Sequence, residues 1–204
     1  MYQRALAGYE KALGPDHTST LDTVHNLGNL YCNQDKLNEA EEMYQQALAG
    51  YEKALGPDHV STLNTVNNLG ILYRTQGKLK EAEEMYQRAL AGFEKALGPN
   101  HTFTLNTVNN LGILYKAQGK LKEAEEMYQR ALAGREKTLG PAHPEARAAA
   151  NNLLSLTVLR PNQDTPRHTG PVTPAAPDLL LNTLGGDSTK RRRKRDILYN
   201  CLRR

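Results

Sequence analysis

Four histidines have the residue type and the regular spacing that raise the question of a metal site. They lie 42 residues apart, at His17, His59, His101 and His143. Imidazole is a common metal ligand, but a zinc ion needs all its ligands within about 2 Å. Equivalent positions of successive stacked helices are on the order of 10 Å apart. We therefore expect these histidines to make hydrogen bonds within loops, and we predict no metal or other cofactor.

A cluster of carboxylates could supply a general acid and a general base. Glu81, Glu83 and Glu84 lie together, but the cluster recurs in neighbouring copies, with Lys78 and Lys80 at a spacing suited to exposed ion pairs. The sequence also contains no glycine-rich phosphate loop and no nucleophile elbow. These patterns predict a solvated helix face and a protein that is not an enzyme.

The two cysteines, Cys32 and Cys201, are isolated and have no CxxC spacing. This usage argues against a disulfide framework and is typical of a reducing compartment. The amino terminus lacks the order of a secretion signal, and no apolar stretch approaches the roughly 18 residues that cross a bilayer. We predict a cytoplasmic protein with no membrane association.

A 42-residue repeat extends over most of the chain, so the structural elements of this repeat must position all these groups. Met43, Met85 and Met127 mark successive copies, and the two full copies between Met43 and Glu126 agree at 35 of 42 positions. Near-identical copies must supply similar groups, so they build extended surfaces more readily than one asymmetric catalytic centre.

Each copy contains two amphipathic helical patterns, which we name helix A and helix B. In helix A of the central copy, Leu63, Val66, Leu69 and Tyr73 form one apolar stripe. Helix B follows at 79–97 and ends at a Gly-Pro pair, which is typical of a helix C-terminus. The threonine that precedes each apolar stripe is predicted to cap helix A. These threonines are Thr20, Thr62 and Thr104.

Small residues indicate where the two helices approach each other. Gly70 and Ala82 are small at the predicted crossing, and Tyr73 and Tyr86 fill the adjoining space. One pair cannot bury its apolar face alone, so each pair is stabilised by stacking on the next.

The same positions resemble the tetratricopeptide signature. Its order and spacing are matched by Leu69, Gly70, Tyr73, Ala82, Tyr86 and Ala89. The usual unit has about 34 residues, and the longer helix B here resembles the repeats of kinesin light chains. The array is also similar to the carboxy-terminal regions of fungal nucleotide-binding receptor proteins. The resemblance implies an all-α, right-handed α-solenoid that acts as a non-catalytic scaffold or adaptor for other proteins.

The repeat register predicts three regions. The array comprises residues 1–159, with a partial helix B (2–13), pairs at 20–55, 62–97 and 104–139, and a terminal helix at 144–159; a Pro-rich disordered linker follows at 160–189 and a basic tail at 190–204. Each end of the array is expected to expose apolar surface. We favour the interpretation that the chain is a fragment of a longer protein, and the alternative is that its ends pair with another molecule. A sensor fragment that self-associates through these ends is the alternative function.

Polar residues opposite the helix A stripe are the candidate binding site. The predicted groove residues are Asn26, Asn29, Asn64, Asn67, Asn68, Ile71, Arg74, Asn106, Asn109, Asn110, Ile113, Lys116, Asn151 and Asn152. An asparagine amide carries both donors and an acceptor, so this ladder could bind the backbone of an extended peptide. It could equally bridge neighbouring helices, and both interpretations stay open. The basic and isoleucine members suit a protein or peptide ligand that is acidic with bulky apolar residues, a preference that the resemblance also implies.

The basic residues are concentrated in the tail. Residues 160–204 contain 10 Lys/Arg and 4 Asp/Glu, against 16 and 18 in residues 1–159. The run comprises Lys190, Arg191, Arg192, Arg193, Lys194 and Arg195. It could act as a nuclear-import peptide, contact polyanions without specificity, or form a solvated tail. Sequence-specific binding of nucleic acid is not expected, because no interleaved aromatic residues accompany it.

Overall fold

The computed structural model describes residues 2–157, and every regular element in this range is an α-helix. The helices are α1 (Tyr2–Leu13), α2 (Thr18–Asn33), α3 (Leu37–Leu55), α4 (Val60–Gln76), α5 (Leu79–Leu97), α6 (Thr102–Ala117), α7 (Leu121–Leu139) and α8 (Pro144–Thr157). The even-numbered helices are A-type and the odd-numbered ones are B-type. The predicted linker, the basic tail and residues 158–159 lie outside the described residues.

Histidines, not threonines, cap the A-type helices, so the predicted threonine caps are wrong. Helices α2, α4 and α6 begin two residues before the predicted threonines. At α4 the extended backbone of His59 (φ −70°, ψ 145°) lets its Nδ1 accept the N–H of Ser61 at 3.2 Å. Thr62 lies inside the helix, where it is buried and donates to the carbonyl oxygen of Gly56 at 2.8 Å. The imidazoles therefore make the loop hydrogen bonds expected for them, and the threonines fasten each loop to the helix that follows.

Glycine ends the B-type helices, as predicted at Gly98-Pro99. Gly98 has φ +90°, a backbone conformation that strains any residue with a side chain. The proline that follows cannot continue the helix. The chain therefore turns sharply and enters the next A-type helix.

Tight contact at glycine holds each A-type helix against the following B-type helix. A Cβ atom added at Gly70 would lie 2.7 Å from Cδ1 and Cε1 of Tyr86, whose side chain is fully buried. In the reverse direction, Leu63 of α4 packs directly on Gly92 of α5. The same two contacts join α2 to α3 and α6 to α7. The predicted close approach at Gly70 is confirmed.

The last two boundaries between successive pairs differ at two facing positions. Phe93 of α5 packs against Phe103 of α6 with ring centroids 5.7 Å apart. One repeat later, the equivalent residues are Arg135 of α7 and Glu145 of α8, whose charged atoms lie 3.8 Å apart with both side chains largely buried. An aromatic contact has thus been exchanged for an ion pair at the last boundary.

A polar contact also joins successive pairs. Glu41 of α3 accepts hydrogen bonds from Gln76 at 2.9 Å and Lys78 at 3.0 Å, both beyond the α3–α4 boundary. Partial burial raises the pKa of Glu41, but the combined effect of these donors and the lysine charge outweighs it and lowers the pKa. Glu83 makes the equivalent contacts one repeat later, and its pKa is lowered in the same way. Both carboxylates are therefore more stable as anions in the folded chain.

Candidate functional site

The four A-type helices present the candidate site, and we call their common surface the A-helix face. Side chains of α2, α4, α6 and α8 join each helix directly to the next A-type helix. The hydrogen-bond caps and the glycine contacts described above fix the rotation of each helix. Equivalent residues of successive copies therefore form columns across this face.

One column of asparagines bridges neighbouring helices. Asn110 Nδ2 donates to Asn67 Oδ1 at 3.3 Å, and Asn152 Nδ2 donates to Asn109 Oδ1 at 2.8 Å. Asn68 donates in the same way to Asn29 Oδ1 at 3.3 Å. The structure thus shows the helix-to-helix role for these asparagines, and each bridge occupies one acceptor.

Several amides on the face keep unused donors. The Nδ2 groups of Asn67 and Asn109 make no hydrogen bond within residues 2–157. In the same range, Asn64 is half-buried and its side chain makes none at all. Asn67 and Asn109 are equivalent positions on the adjacent helices α4 and α6, so their N–H donors repeat across the face.

Two predicted groove residues, Ile71 and Asn110, are buried between helices in this structure, so they add little to the exposed surface of the face. Ile71 is only 3% exposed because it packs between α4 and α6, against Leu111 and Leu114. Asn110 is also 3% exposed and serves the bridge to Asn67. Both lie opposite the main apolar stripe, where an A-type helix meets its A-type neighbour instead of solvent.

The remaining predicted positions have varied surroundings. Asn26 accepts a weak hydrogen bond from Asn29 at 3.4 Å, and Asn106 accepts one from the Arg135 guanidinium at 2.8 Å. Ile113 is half-buried beside Leu156 and Tyr128. Asn151 is exposed on α8.

Arg74 and Lys116 differ in whether their charged groups already bind other described residues of the chain. Lys116 donates to Ser155 Oγ at 2.6 Å on the next A-type helix. The guanidinium of Arg74 makes no hydrogen bond or ion pair among the described residues. Burial raises the pKa of Tyr128, and the nearby Arg74 charge opposes that shift. The face therefore carries a half-buried cation next to a buried phenol.

The first copy contains a neutral polar cluster. Its members Asn29 and Cys32 stand where the later copies have an isoleucine and a basic residue, respectively. His25 is buried, and its Nδ1 lies 3.0 Å from Thr65 Oγ1. Because Thr65 donates its own proton to the Ser61 carbonyl oxygen at 3.0 Å, Nδ1 of His25 must carry the proton. Its Nε2 then accepts from Asn68 Nδ2 at 3.2 Å.

Cys32 completes this cluster at the carboxyl end of α2. Its thiol is buried and lies 3.7 Å from Tyr44 Oη. Burial raises the pKa of the thiol, and the hydrogen bond with Tyr44 only partly offsets this effect. Because the thiolate is the reactive form, Cys32 is suited to packing and not to nucleophilic chemistry. The spacing of these residues in the sequence did not reveal that they form one cluster.

Two further features bear on function. Residues 2–157 contain no group of three or more His, Cys, Asp or Glu side chains placed to hold a metal ion. No helix in the same part of the chain has the length and hydrophobicity to cross a membrane.

Comparison with known proteins identified repeats of one kind. The family model described as tetratricopeptide repeat matches residues 1–53, 19–95, 79–137 and 104–160. A search of curated proteins found no significant match.

Solved structures share the fold at low sequence identity. The putative kinesin light chain of Podosopora anserina, with nearly identical TPR-like repeats, has a TM-score of 0.66 and 24% identity over 98% of this chain and 82% of its own. A single-residue variant of that protein gives a TM-score of 0.67 and 24% identity, covering 98% and 81%. BtubC (BKLC) from P. vanneervenii gives 0.64 and 21%, covering 90% and 78%. These similarities show the architecture of this chain.

Proposed function

Because the chain belongs to the tetratricopeptide repeat family, we propose that it is a non-catalytic scaffold that binds an extended peptide segment of a partner protein along its A-helix face. Repeats of this kind bury their apolar residues between helices and leave a continuous polar surface. That polar surface is the part of the chain that contacts the peptide.

The row of unused N–H donors is the observation that carries this proposal. Asn64, Asn67 and Asn109 offer amide donors from two adjacent helices. Packed helices are on the order of 10 Å apart, and a peptide in the extended polyproline II conformation advances roughly 3.1 Å per residue with three residues per turn. Carbonyl groups three residues apart in such a peptide point the same way, so they suit donors on adjacent helices.

Charge on the same face supports selection of acidic ligands. Arg74 makes no ion pair among residues 2–157, so it can pair with a ligand carboxylate without breaking an existing salt bridge. Ile113 is half-buried beside Tyr128, which lies near Arg74, and it offers apolar surface to a bulky side chain. We propose that the ligand is an acidic peptide with bulky apolar residues.

A selection experiment tests the proposal. The full chain would be used to select binders from a displayed library of random 12-residue peptides, and the affinity of the best peptide would be measured by fluorescence anisotropy. The test variant is N64A/R74A, because neither side chain makes a hydrogen bond or ion pair in residues 2–157 whose loss would disturb the fold. The control is K80A/Q87A on exposed positions of α5.

We expect the selected peptides to be acidic and N64A/R74A to weaken binding roughly tenfold or more, since a charge-assisted hydrogen bond contributes about 1.5–3 kcal/mol. The control should bind within about twofold of wild type. Equal binding by both variants, or selected peptides without acidic residues, would contradict the proposal.

A further inference from the structure

Arg135 of α7 contacts the A-helix face from its buried side. Its Nη2 donates to Asn106 Oδ1 of α6 at 2.8 Å, and the residue is only 7% exposed. Toward α8, Nη1 donates to the carbonyl oxygen of Glu145 at 3.5 Å, and Nε lies 3.8 Å from the carboxylate of the same residue. A guanidinium is planar and rigid, so these contacts with α8 fix the direction in which Nη2 points.

This contact decides the orientation of the Asn106 amide. A guanidinium has donors only, so the atom of Asn106 that faces Arg135 must be the carbonyl oxygen. The Nδ2 group lies on the other branch of the amide and makes no hydrogen bond among residues 2–157. Asn106 itself is half-buried on the face. Arg135 therefore holds the amide in one orientation and leaves both of its N–H donors unused.

The equivalent positions of the earlier copies lack this support. In the central copy they are Asn64 and Phe93, and a phenyl ring has no polar hydrogen to donate. The Asn64 side chain makes no hydrogen bond in the described range, so no partner selects between its two amide orientations. In the first copy the position is Asp22, whose carboxylate offers only acceptors and accepts the hydroxyl hydrogen of Tyr51. Of these three helices, α6 is the one with an oriented donor at this position.

Asn109 adds a second oriented donor on the same helix. It lies three residues after Asn106, so the two side chains are neighbours on one face of α6, with Cβ atoms about 5–6 Å apart. Its Oδ1 accepts from Asn152 of α8 at 2.8 Å, and its Nδ2 makes no hydrogen bond within residues 2–157. Helix α6 therefore carries two amides whose oxygens are held by neighbouring helices and whose donors are unused.

We infer that Arg135 is a positioning residue for ligand binding: together with Glu145, it holds the Asn106 amide in the orientation that donates to a carbonyl oxygen of the bound peptide. This role rests on the proposed peptide-binding function of the A-helix face. An amide that is already oriented loses less conformational freedom when a ligand binds. That loss can otherwise cancel the gain from one neutral hydrogen bond. Arg135 thus contributes to affinity without contacting the peptide.

The orientation is measured first without a ligand. The test variant is R135F/E145F, which gives this boundary the aromatic residues of the preceding one and removes both charges together. Nuclear magnetic resonance relaxation of side-chain amides labelled with nitrogen-15 reports how freely each amide moves. We expect the Asn106 amide to be ordered in wild type and mobile in R135F/E145F, whereas the Asn109 amide, held by Asn152, should be unchanged. An Asn106 amide equally ordered in both proteins would overturn the inference.

Peptide binding gives the second measurement, with the best peptide from the selection described above. Its addition should shift the Asn106 side-chain resonances of the wild-type chain, and N106A should weaken binding about fivefold. In R135F/E145F, where the amide is no longer held, the same change should weaken binding less than about twofold. The control change K80A, on an exposed position of α5, should leave the affinity of both proteins within about twofold.

Two outcomes distinguish failure of this role from failure of the proposed function. If N64A/R74A weakens binding but N106A acts equally in wild type and R135F/E145F, the peptide binds the face and Arg135 does not position Asn106 for it. If the selected peptides bind N64A/R74A as tightly as wild type, the proposed function fails and this role fails with it. Should R135F/E145F lack wild-type helix content by circular dichroism, R135M/E145L takes its place with the same expectations.

Discussion

Replacement of Gly70 by alanine tests the packing on which the array depends. The added methyl carbon would lie 2.7 Å from two ring carbons of Tyr86, about 1 Å inside ordinary carbon contact distance. Because the Tyr86 ring is fully buried, it cannot swing into solvent. We expect overpacking to cost about 1–3 kcal/mol. Alanine gains about 1 kcal/mol in helix propensity over glycine, so the free energy of unfolding should fall by about 0–2 kcal/mol.

The matched control is Gly8→Ala, which makes the same exchange on α1 without any atom within 4 Å. It should be neutral or slightly stabilising, so the two variants should differ by about 2 kcal/mol, or roughly 4–8 °C in Tm. Thermal and urea unfolding followed by far-ultraviolet circular dichroism would measure the difference. If Gly70→Ala were as stable as Gly8→Ala, Gly70 and Tyr86 would not be in tight contact.

Two further predictions concern the boundaries between pairs. Glu145→Ala should destabilise the chain by roughly 3 kcal/mol, because it removes the carboxylate beside buried Arg135. The double variant R135F/E145F copies the preceding aromatic boundary and should recover stability to within about 1 kcal/mol of wild type in urea unfolding. A double variant no more stable than the single one would contradict this. The lowered pKa values of Glu41 and Glu83 contribute stability that is present above their ordinary value of 4.5 and lost as pH falls through the folded values. E41Q/E83Q should therefore show a flatter loss of stability than wild type between roughly pH 6 and 3, and an unchanged pH profile would argue against that contribution.

The sequence predicted the helical pairs because their signals are local or recur in each copy. The apolar spacing of Leu63, Val66 and Leu69 defines one helix, and the Gly-Pro pair at 98–99 ends the next. The closeness of Gly70 to Tyr86 followed from size alone. These features need no knowledge of neighbouring copies.

Features were predicted less well where two residues could fill the same role, or where one residue could face either solvent or a second helix. His59 and Thr62 both carry side chains able to accept from a helix N-terminus, and only the loop geometry decided in favour of histidine. Ile71 was placed in the groove because it lies opposite one apolar stripe, but an A-type helix contacts neighbours on more than one side. For such residues, helical periodicity shows on which side of the helix they lie. It does not show whether that side faces solvent or a neighbouring helix.

Helix α8 differs from the earlier A-type helices at two positions, and its regular helical spacing made these differences easy to overlook. Alignment of α8 with the earlier copies places Leu154 at a glycine position and Arg147 at a leucine position. Both changes are visible in the sequence, but their meaning depends on the contact distances at Gly28 and Gly50. Only these distances show that Arg147 and Leu154 do not fit the two contacts that join α2 to α3.

The exchange of an aromatic contact for the Arg135–Glu145 pair has a consequence for how such a gene can change. Loss of the unit 94–135 would place Phe93 against Glu145, burying a carboxylate beside a phenyl ring without its guanidinium. Insertion or loss of whole units before that boundary meets no such mismatch. The number of copies can therefore change in the interior of the array, whereas Arg135 of α7 and Glu145 of α8 must be kept together.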